Sequence, residues 1–333
     1  MALATIVLLN FTIAIILTGW FRHRFQNQFL DIPNHRSSHT QPTPRGGGLA
    51  FILAFAITTA ITLIPSLHLT STLHLPDPIS LWLTLTPLVI VGCIDDRGNV
   101  PALVRYLVQL TVAGIAIACF GYFTIPGEEA FGISGQIIAV TLTIISITAF
   151  INFYNFMDGL DGLVASVSTL QLTFLAFYLQ QPLFLLLSGA VLGFLYWNWS
   201  PAKIFMGDAG STVLGASVAI ALLNTDNLAQ AGTAVAVTLP LLGDAIYTIC
   251  CRLIRGENIF KAHRTHLYQR LQQSGWSHSQ VALTYLLVTG IVILAITTLG
   301  STGSWLSLIG IIAAIGIGEI YLNWGREELR IEN

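Results

Sequence analysis

The chain has 333 residues, of which 54% are hydrophobic and only 9% charged, with a formal net charge of −2. Soluble domains carry roughly 25% charged residues, so the composition excludes an ordinary water-soluble enzyme and indicates an integral membrane protein. Cys93, Cys119, Cys250 and Cys251 all fall in apolar segments without paired metal-type spacing, and read as small packing residues rather than disulfides or zinc ligands.

At roughly 20 residues per spanning helix, apolar segments near 3–21, 47–64, 79–94, 103–121, 135–152, 162–180, 183–199, 211–223, 232–251, 281–299 and 304–323 predict an all-α polytopic bundle of about eleven transmembrane helices. Ten is the alternative count, because the eighth segment is short and the sixth and seventh are joined at Gln181-Pro182. No linker or composition break divides residues 1–333, and no internal repeat of the transporter kind is visible, so a single domain is expected. Arg22 and Arg24 follow the first apolar run instead of preceding it, which marks a retained helix rather than a signal peptide. All fourteen Lys and Arg residues then fall on one face: Arg22, Arg24, Arg36, Arg45, Arg97, Arg105, Lys203, Arg252, Arg255, Lys261, Arg264, Arg270, Arg326 and Arg330. The positive-inside bias makes that face cytoplasmic. The amino terminus and the loops near 65–78, 122–134, 224–231 and 300–303 belong to the other side.

Acidic residues are sparse, sixteen in all, yet five of them, Asp95, Asp96, Asp158, Asp161 and Asp208, occur in three short stretches. These are Gly92-Cys93-Ile94-Asp95-Asp96-Arg97, the run from Asn152 through Asn155 to Asp158-Gly159-Leu160-Asp161-Gly162, and Phe205-Met206-Gly207-Asp208-Ala209-Gly210-Ser211. Each lies where an apolar span meets the cytoplasm, a costly place for an unpartnered carboxylate and a functional candidate by default. Convergent carboxylates without cysteine suit a hard divalent cation such as Mg2+, with Mn2+ as its substitute. Asp158 and Asp161 are i,i+3 neighbours. Asp95 and Asp96, being adjacent, are expected to divide duties, one toward a metal or nucleophile and the other toward a basic group.

Two cytoplasmic loops supply the basic partners. The first runs Arg36-Ser37-Ser38-His39 to Pro44-Arg45-Gly46-Gly47-Gly48, where Gly-rich backbone and Arg side chains can hold phosphate oxygens; a turn with membrane-flanking arginines accounts for it equally. The second contains Ala262-His263-Arg264-Thr265-His266, read either as a diphosphate or metal contact or as an anchor at lipid headgroups. Asp244 stands apart, about two turns inside the membrane from Arg252 and close to the helix-breaking Pro240. A polar pocket and a buried structural partner are both open readings of it.

Together these motifs resemble the polyprenyl-phosphate N-acetylhexosamine-1-phosphate transferase superfamily, glycosyltransferase family 4, from about Asp31 to Gln273. The matching signatures are the Asp95-Asp96 pair, the Asn152 to Gly162 run, Asn198 ten residues ahead of Asp208, and the His263 to His266 loop. The resemblance implies a Mg2+-dependent phosphotransferase of the bacterial inner membrane with its active site on the cytoplasmic face. It would move N-acetylhexosamine-1-phosphate from a UDP-sugar to undecaprenyl phosphate, releasing UMP. It implies Asp208 as principal metal ligand with Asp95 as base or metal partner, and Asp96 with them in the catalytic set. Asn155, Asp158, Asp161 and Asn198 would line the nucleotide-sugar site, with His263, Arg264, His266 and Arg45 on the phosphates. His39 stands where muramoyl-transferring members have lysine, and the loop with two separated histidines looks like the O-antigen initiating branch that handles modified amino sugars. The expected partners are undecaprenyl phosphate, the UDP-sugar and the lipid bilayer, without nucleic acid, and a homodimer is compatible with the pattern. The alternative function is a secondary transporter that uses membrane carboxylates.

Overall fold

A polypeptide in lipid must satisfy its backbone polar groups within itself, and each of the eleven apolar segments accordingly forms helix. A computed structural model describes residues 2–26, 29–33, 38–64, 77–98, 100–225, 227–259, 261 and 263–331, without the side chains of residues 129 and 325–331. Arg36, Ser37, Ala262 and residues 65–76 of one expected outer loop therefore lie outside the described residues, as do the side chains of Arg326 and Arg330. In chain order the helices are α1 (Ala2–Phe25), α2 (Gly47–Thr62), α3 (Pro78–Asp95), α4 (Ala102–Phe120), the short α5 (Glu128–Phe131), α6 (Ile133–Met157), α7 (Leu163–Tyr178), α8 (Pro182–Asn198), α9 (Gly207–Leu223), α10 (Leu228–Ala236), α11 (Leu239–Ile254), the short α12 (Leu267–Gln273), α13 (His278–Leu299) and α14 (Ser301–Ile331). Between α1 and α2, strands β1 (Leu30–Asp31) and β2 (Thr43–Pro44) pair antiparallel, with Asp31 opposite Thr43.

Six helices are long and apolar enough to cross a membrane: α1, α3, α4, α6, α13 and the Ser301–Trp324 part of α14. The pair α10 and α11, bent by 81°, makes a seventh if counted as one broken span. Pro240 in the first turn of α11 has no amide hydrogen to offer there. The carbonyl freed at the break, that of Val237, accepts from the buried Gln171 amide at 3.1 Å, and Gln171 accepts in turn from the Tyr154 hydroxyl at 2.6 Å. The eleven expected spans thus resolve into six full-length helices, or seven with the bent pair, packed among four shorter apolar ones, α2, α7, α8 and α9. At 16 or 17 residues these four reach about 24–26 Å, short of the ~30 Å hydrocarbon layer. Sequence hydropathy cannot separate a lipid-facing helix from one enclosed by its neighbours. α9 is enclosed: all but one of its residues from Ala209 to Leu223 are buried.

At one end of the bundle α2, α3 and α9 come closer than side chains allow. A Cβ on Gly92 would lie 2.4 Å from the Ala209 Cα, and one on Gly48 2.5 Å from the Gly210 Cα. Small residues permit such backbone approach between membrane helices, and here it sets the carboxyl end of α3 beside the amino end of α9. That contact puts Asp95 and Asp96 next to Asp208, although more than a hundred residues separate them in sequence.

Gly92→Ala should push a methyl group into the α9 backbone and destabilise the protein by about 1–3 kcal/mol. Gly114→Ala, which meets nothing within 4 Å, should be neutral or mildly stabilising. Thermal unfolding in detergent compares the two, and equal midpoints would contradict the tight α3–α9 contact.

Candidate active site

The loops at this end enclose a cavity of about 370 Å3 whose lining includes Arg45, Asn155, Asp158, Asp161, Asn198, Asp208, His263, Arg264 and His278. Its first wall is the loop carried by β1 and β2. Their pairing brings Arg45 to Asp31, an ion pair of 2.7 Å. The same segment is sewn to the loop before α9, since the Phe205 amide donates to the Pro44 carbonyl at 2.8 Å and the Gly47 amide to the Phe205 carbonyl at 2.8 Å. His39 packs edge-on against Phe205, ring centres 4.9 Å apart.

On the acidic side, Asp95 and Asp208 stand within hydrogen-bonding reach of each other, and Arg105 bridges them at 3.0 and 3.7 Å. The Asp95 side chain is 8% exposed and its second oxygen accepts from the Val100 amide at 2.8 Å, whereas the Asp208 side chain is 36% exposed and lines the cavity. Asp208 therefore faces an incoming ligand with Asp95 behind it. Asp96 has a different duty: it accepts from the Asp208 amide at 2.9 Å and the Ala209 amide at 3.5 Å, capping the positive end of α9. Burial pushes the Asp96 carboxyl up to about 6, with the Asp208 charge adding to it and the amide hydrogen bonds opposing. The adjacent carboxylates do point two ways: Asp95 holds a basic group, as expected of one of them, whereas Asp96 is bound to backbone amides rather than turned to a metal or nucleophile.

Asn155 donates to Asp208 at 2.9 Å and to the Ser211 hydroxyl at 3.0 Å. Asp158 is raised well above the usual carboxylate range, first by burial and then by the charges of Asp208 and Asp96. Asp161 goes the other way: burial opposes its charge, yet the hydrogen bond and positive charge of His278 hold it below the usual range. The two side chains are 3.2 Å apart, and the other ring nitrogen of His278 lies 3.1 Å from the Ser38 carbonyl. Asn198 lines the cavity but commits both amide atoms to backbone, accepting from the Gly162 amide at 3.1 Å and donating to the Ile204 carbonyl at 3.0 Å.

The histidine loop divides in two. Arg264 reaches across to the Ser38 hydroxyl at 3.0 Å and, with His263, lines the cavity. His263 is pushed down to about 4 by burial and by the nearby His266 and Arg252, so it is neutral at pH 7. His266 turns inward instead; it is 2% exposed, lies 3.6 Å from Asp244 and is not among the lining residues. Arg105, Asp31 and His278 were not singled out from sequence as site residues. The available signal for His278 was its place at the start of an apolar span on the basic face, beyond the stretch that the motifs cover.

Among the described residues no group of three or more His, Cys, Asp or Glu side chains is arranged to hold a metal ion. The donor set at Asp208 fits Mg2+ all the same. Mg2+ characteristically takes one or two protein carboxylates and completes its shell with water and phosphate oxygens; Asp208 presents its carboxylate to the cavity, and Asp95 stands directly behind it.

The fold and site define a multi-pass helical membrane protein whose cavity is lined by both carboxylates and cationic side chains. Residues 78–226 match the family model described as Glycosyl transferase family 4. A relative from Bacillus subtilis, a probable undecaprenyl-phosphate N-acetylglucosaminyl 1-phosphate transferase, is 31% identical over 84% of this chain and 79% of its own length. A decaprenyl-phosphate N-acetylglucosaminephosphotransferase of Mycobacterium tuberculosis is 30% identical over 78% of this chain and 73% of its own. A phospho-N-acetylmuramoyl-pentapeptide-transferase of Carboxydothermus hydrogenoformans is 30% identical over 76% and 83%. The chain belongs to the polyprenyl-phosphate N-acetylhexosamine-1-phosphate transferase family.

Asn198→Ala leaves a buried amide and carbonyl unpaired, so it should cost about 1–3 kcal/mol of stability. Asn155→Ala, beside the more exposed Asp208, should cost activity with little change in unfolding midpoint. A reversed pattern in paired melting and turnover assays would show that Asn198 serves the ligand and Asn155 the fold.

Proposed function

We propose that the protein transfers an N-acetylhexosamine-1-phosphate from its UDP-sugar to undecaprenyl phosphate, on the cytoplasmic face of a bacterial inner membrane. The observation that carries this reading is that one cavity gathers Asp208 and Asn155, with Asp95 directly behind Asp208, together with Arg45, Arg264 and His278. A diphosphate needs cationic donors for its oxygens, and a phosphate acceptor at the headgroup plane needs its reaction centre at helix ends. N-acetylglucosamine is the first sugar to test, on the names of the relatives.

In the reaction, an oxygen of the lipid phosphate attacks the phosphorus that bears the sugar. The bond to the bridging oxygen breaks and UMP leaves with that electron pair. Asp208 and Asp95 are the residues that would hold Mg2+, which when bound would offset phosphate charge and orient oxygens. Arg105 keeps the two carboxylates side by side, and Arg264 and Arg45 supply planar donors matched to phosphate oxygens. His263, neutral at pH 7, can give one hydrogen bond without adding charge. The lipid phosphate already carries much of its second negative charge near neutral pH, so Asp95 is required for placement rather than for removing a proton.

Purified protein incubated with undecaprenyl phosphate, Mg2+ and a panel of UDP-sugars should release UMP with at least one N-acetylhexosamine donor. Asp208→Asn should retain less than about a tenth of turnover, a loss above roughly 1.4 kcal/mol of transition-state stabilisation. UMP release with no sugar in the panel, or an Asp208→Asn enzyme close to wild type, would overturn the reading.

A further inference from the structure

We infer that Asp244 is a positioning residue that fixes the grip of the His263-Arg264 loop on the nucleotide sugar. The inference rests on the proposal that this loop contacts the diphosphate. Asp244 is 1% exposed and sits in α11, just beyond the 81° break. Its first carboxylate oxygen accepts from the Leu267 amide at 2.8 Å and the Thr248 hydroxyl at 3.1 Å. The second accepts from the Tyr268 amide at 3.0 Å and the Tyr285 hydroxyl at 2.7 Å. His266 adds its ring at 3.6 Å. A buried carboxylate is costly unless its oxygens are satisfied, and here α11, α12 and α13 all contribute donors. The first turn of α12 is thus tied to the middle of a membrane helix.

The chain leading into that turn is the loop whose Arg264 and His263 line the cavity. Fixing the amides of Leu267 and Tyr268 fixes the exit of the loop, and the Gln273 side chain holds the Arg264 carbonyl at 3.1 Å from the far end of α12. Tyr268 carries the tie onward: its hydroxyl donates to the Phe156 carbonyl at 2.9 Å. A Cβ on Gly159 would stand 2.2 Å from that hydroxyl, so the glycine between Asp158 and Asp161 is what lets Tyr268 in. Asp244 therefore holds two cavity walls in register without touching the cavity, since it is not among the lining residues. Of the two readings that the sequence left open for this residue, the hydrogen bonds support the buried structural partner, and what it structures is the site.

The test uses the full-length protein in detergent or nanodiscs. Asp244→Asn keeps the shape but leaves one acceptor oxygen and turns an NH2 group toward N–H and O–H donors. Hydrogen exchange in the 263–273 peptide should quicken roughly tenfold or more, while peptides from α7 and α9 exchange as in wild type. The KM for the UDP-sugar should rise at least about threefold and that for undecaprenyl phosphate stay within about twofold, the mark of a lost contact to one substrate. Tyr285→Phe, which removes a single donor, should give a smaller change in the same two readouts, and it decides the matter if Asp244→Asn does not fold. Unchanged exchange in 263–273, or equal rises in both KM values, would overturn the inference. If wild type uses no UDP-sugar, the proposed function falls, and the exchange result alone still judges whether Asp244 braces the loop.

Discussion

Like charges held together at helix ends govern how this end of the bundle is built. Asp95, Asp96, Asp158 and Asp208 repel one another, and burial raises the cost of each charge. The protein meets this with fixed counter-dipoles and cations: Arg105 between Asp95 and Asp208, the α9 amides on Asp96, the Asn155 amide on Asp208. The Asp158 carboxyl, with none of these, is instead displaced toward its neutral form. What remains is a negative floor short of positive charge, which is the condition for drawing in a divalent cation and phosphates together.

Much of this was legible in the sequence. The three acidic stretches could be identified because carboxylates at membrane boundaries are rare, and the basic loops because all positive charge fell on one face. The positions of the apolar segments matched helices throughout. Their roles did not follow, because hydropathy reports the apolar character of α2, α7, α8 and α9 without saying that they are too short to span alone, or that protein encloses α9. The bent pair was marked by Pro240, yet the Gln171 amide that satisfies the Val237 carbonyl at the break is a long-range partner with no local signature.

Within the site, residue type was readable and direction was not. His263 and His266 look equivalent in sequence, but only His263 and Arg264 reach the cavity while His266 packs against Asp244. Asn198 lines the cavity, yet its amide also ties two backbone segments together, a second duty that its residue type does not reveal. His278 reaches the cavity from a span far along the chain, where the charge pattern gave no reason to separate it from a boundary residue. Glycines carry the part of the pattern that residue chemistry alone leaves unexplained: Gly92 and Gly48 admit α9, and Gly159 admits Tyr268.

The acidic cavity, and Asp208 above all, is where a divalent cation would bind. Thermal unfolding of the purified protein across a Mg2+ titration, without substrates, tests it most directly, since a ligand that binds the folded state alone raises the midpoint with concentration. Wild type should be stabilised progressively by Mg2+. Asp208→Asn, with one repelling charge removed, should be at least as stable as wild type in chelator and should respond little to Mg2+. An Asp208→Asn protein that gains as much from Mg2+ as wild type would show that Asp208 does not hold the cation.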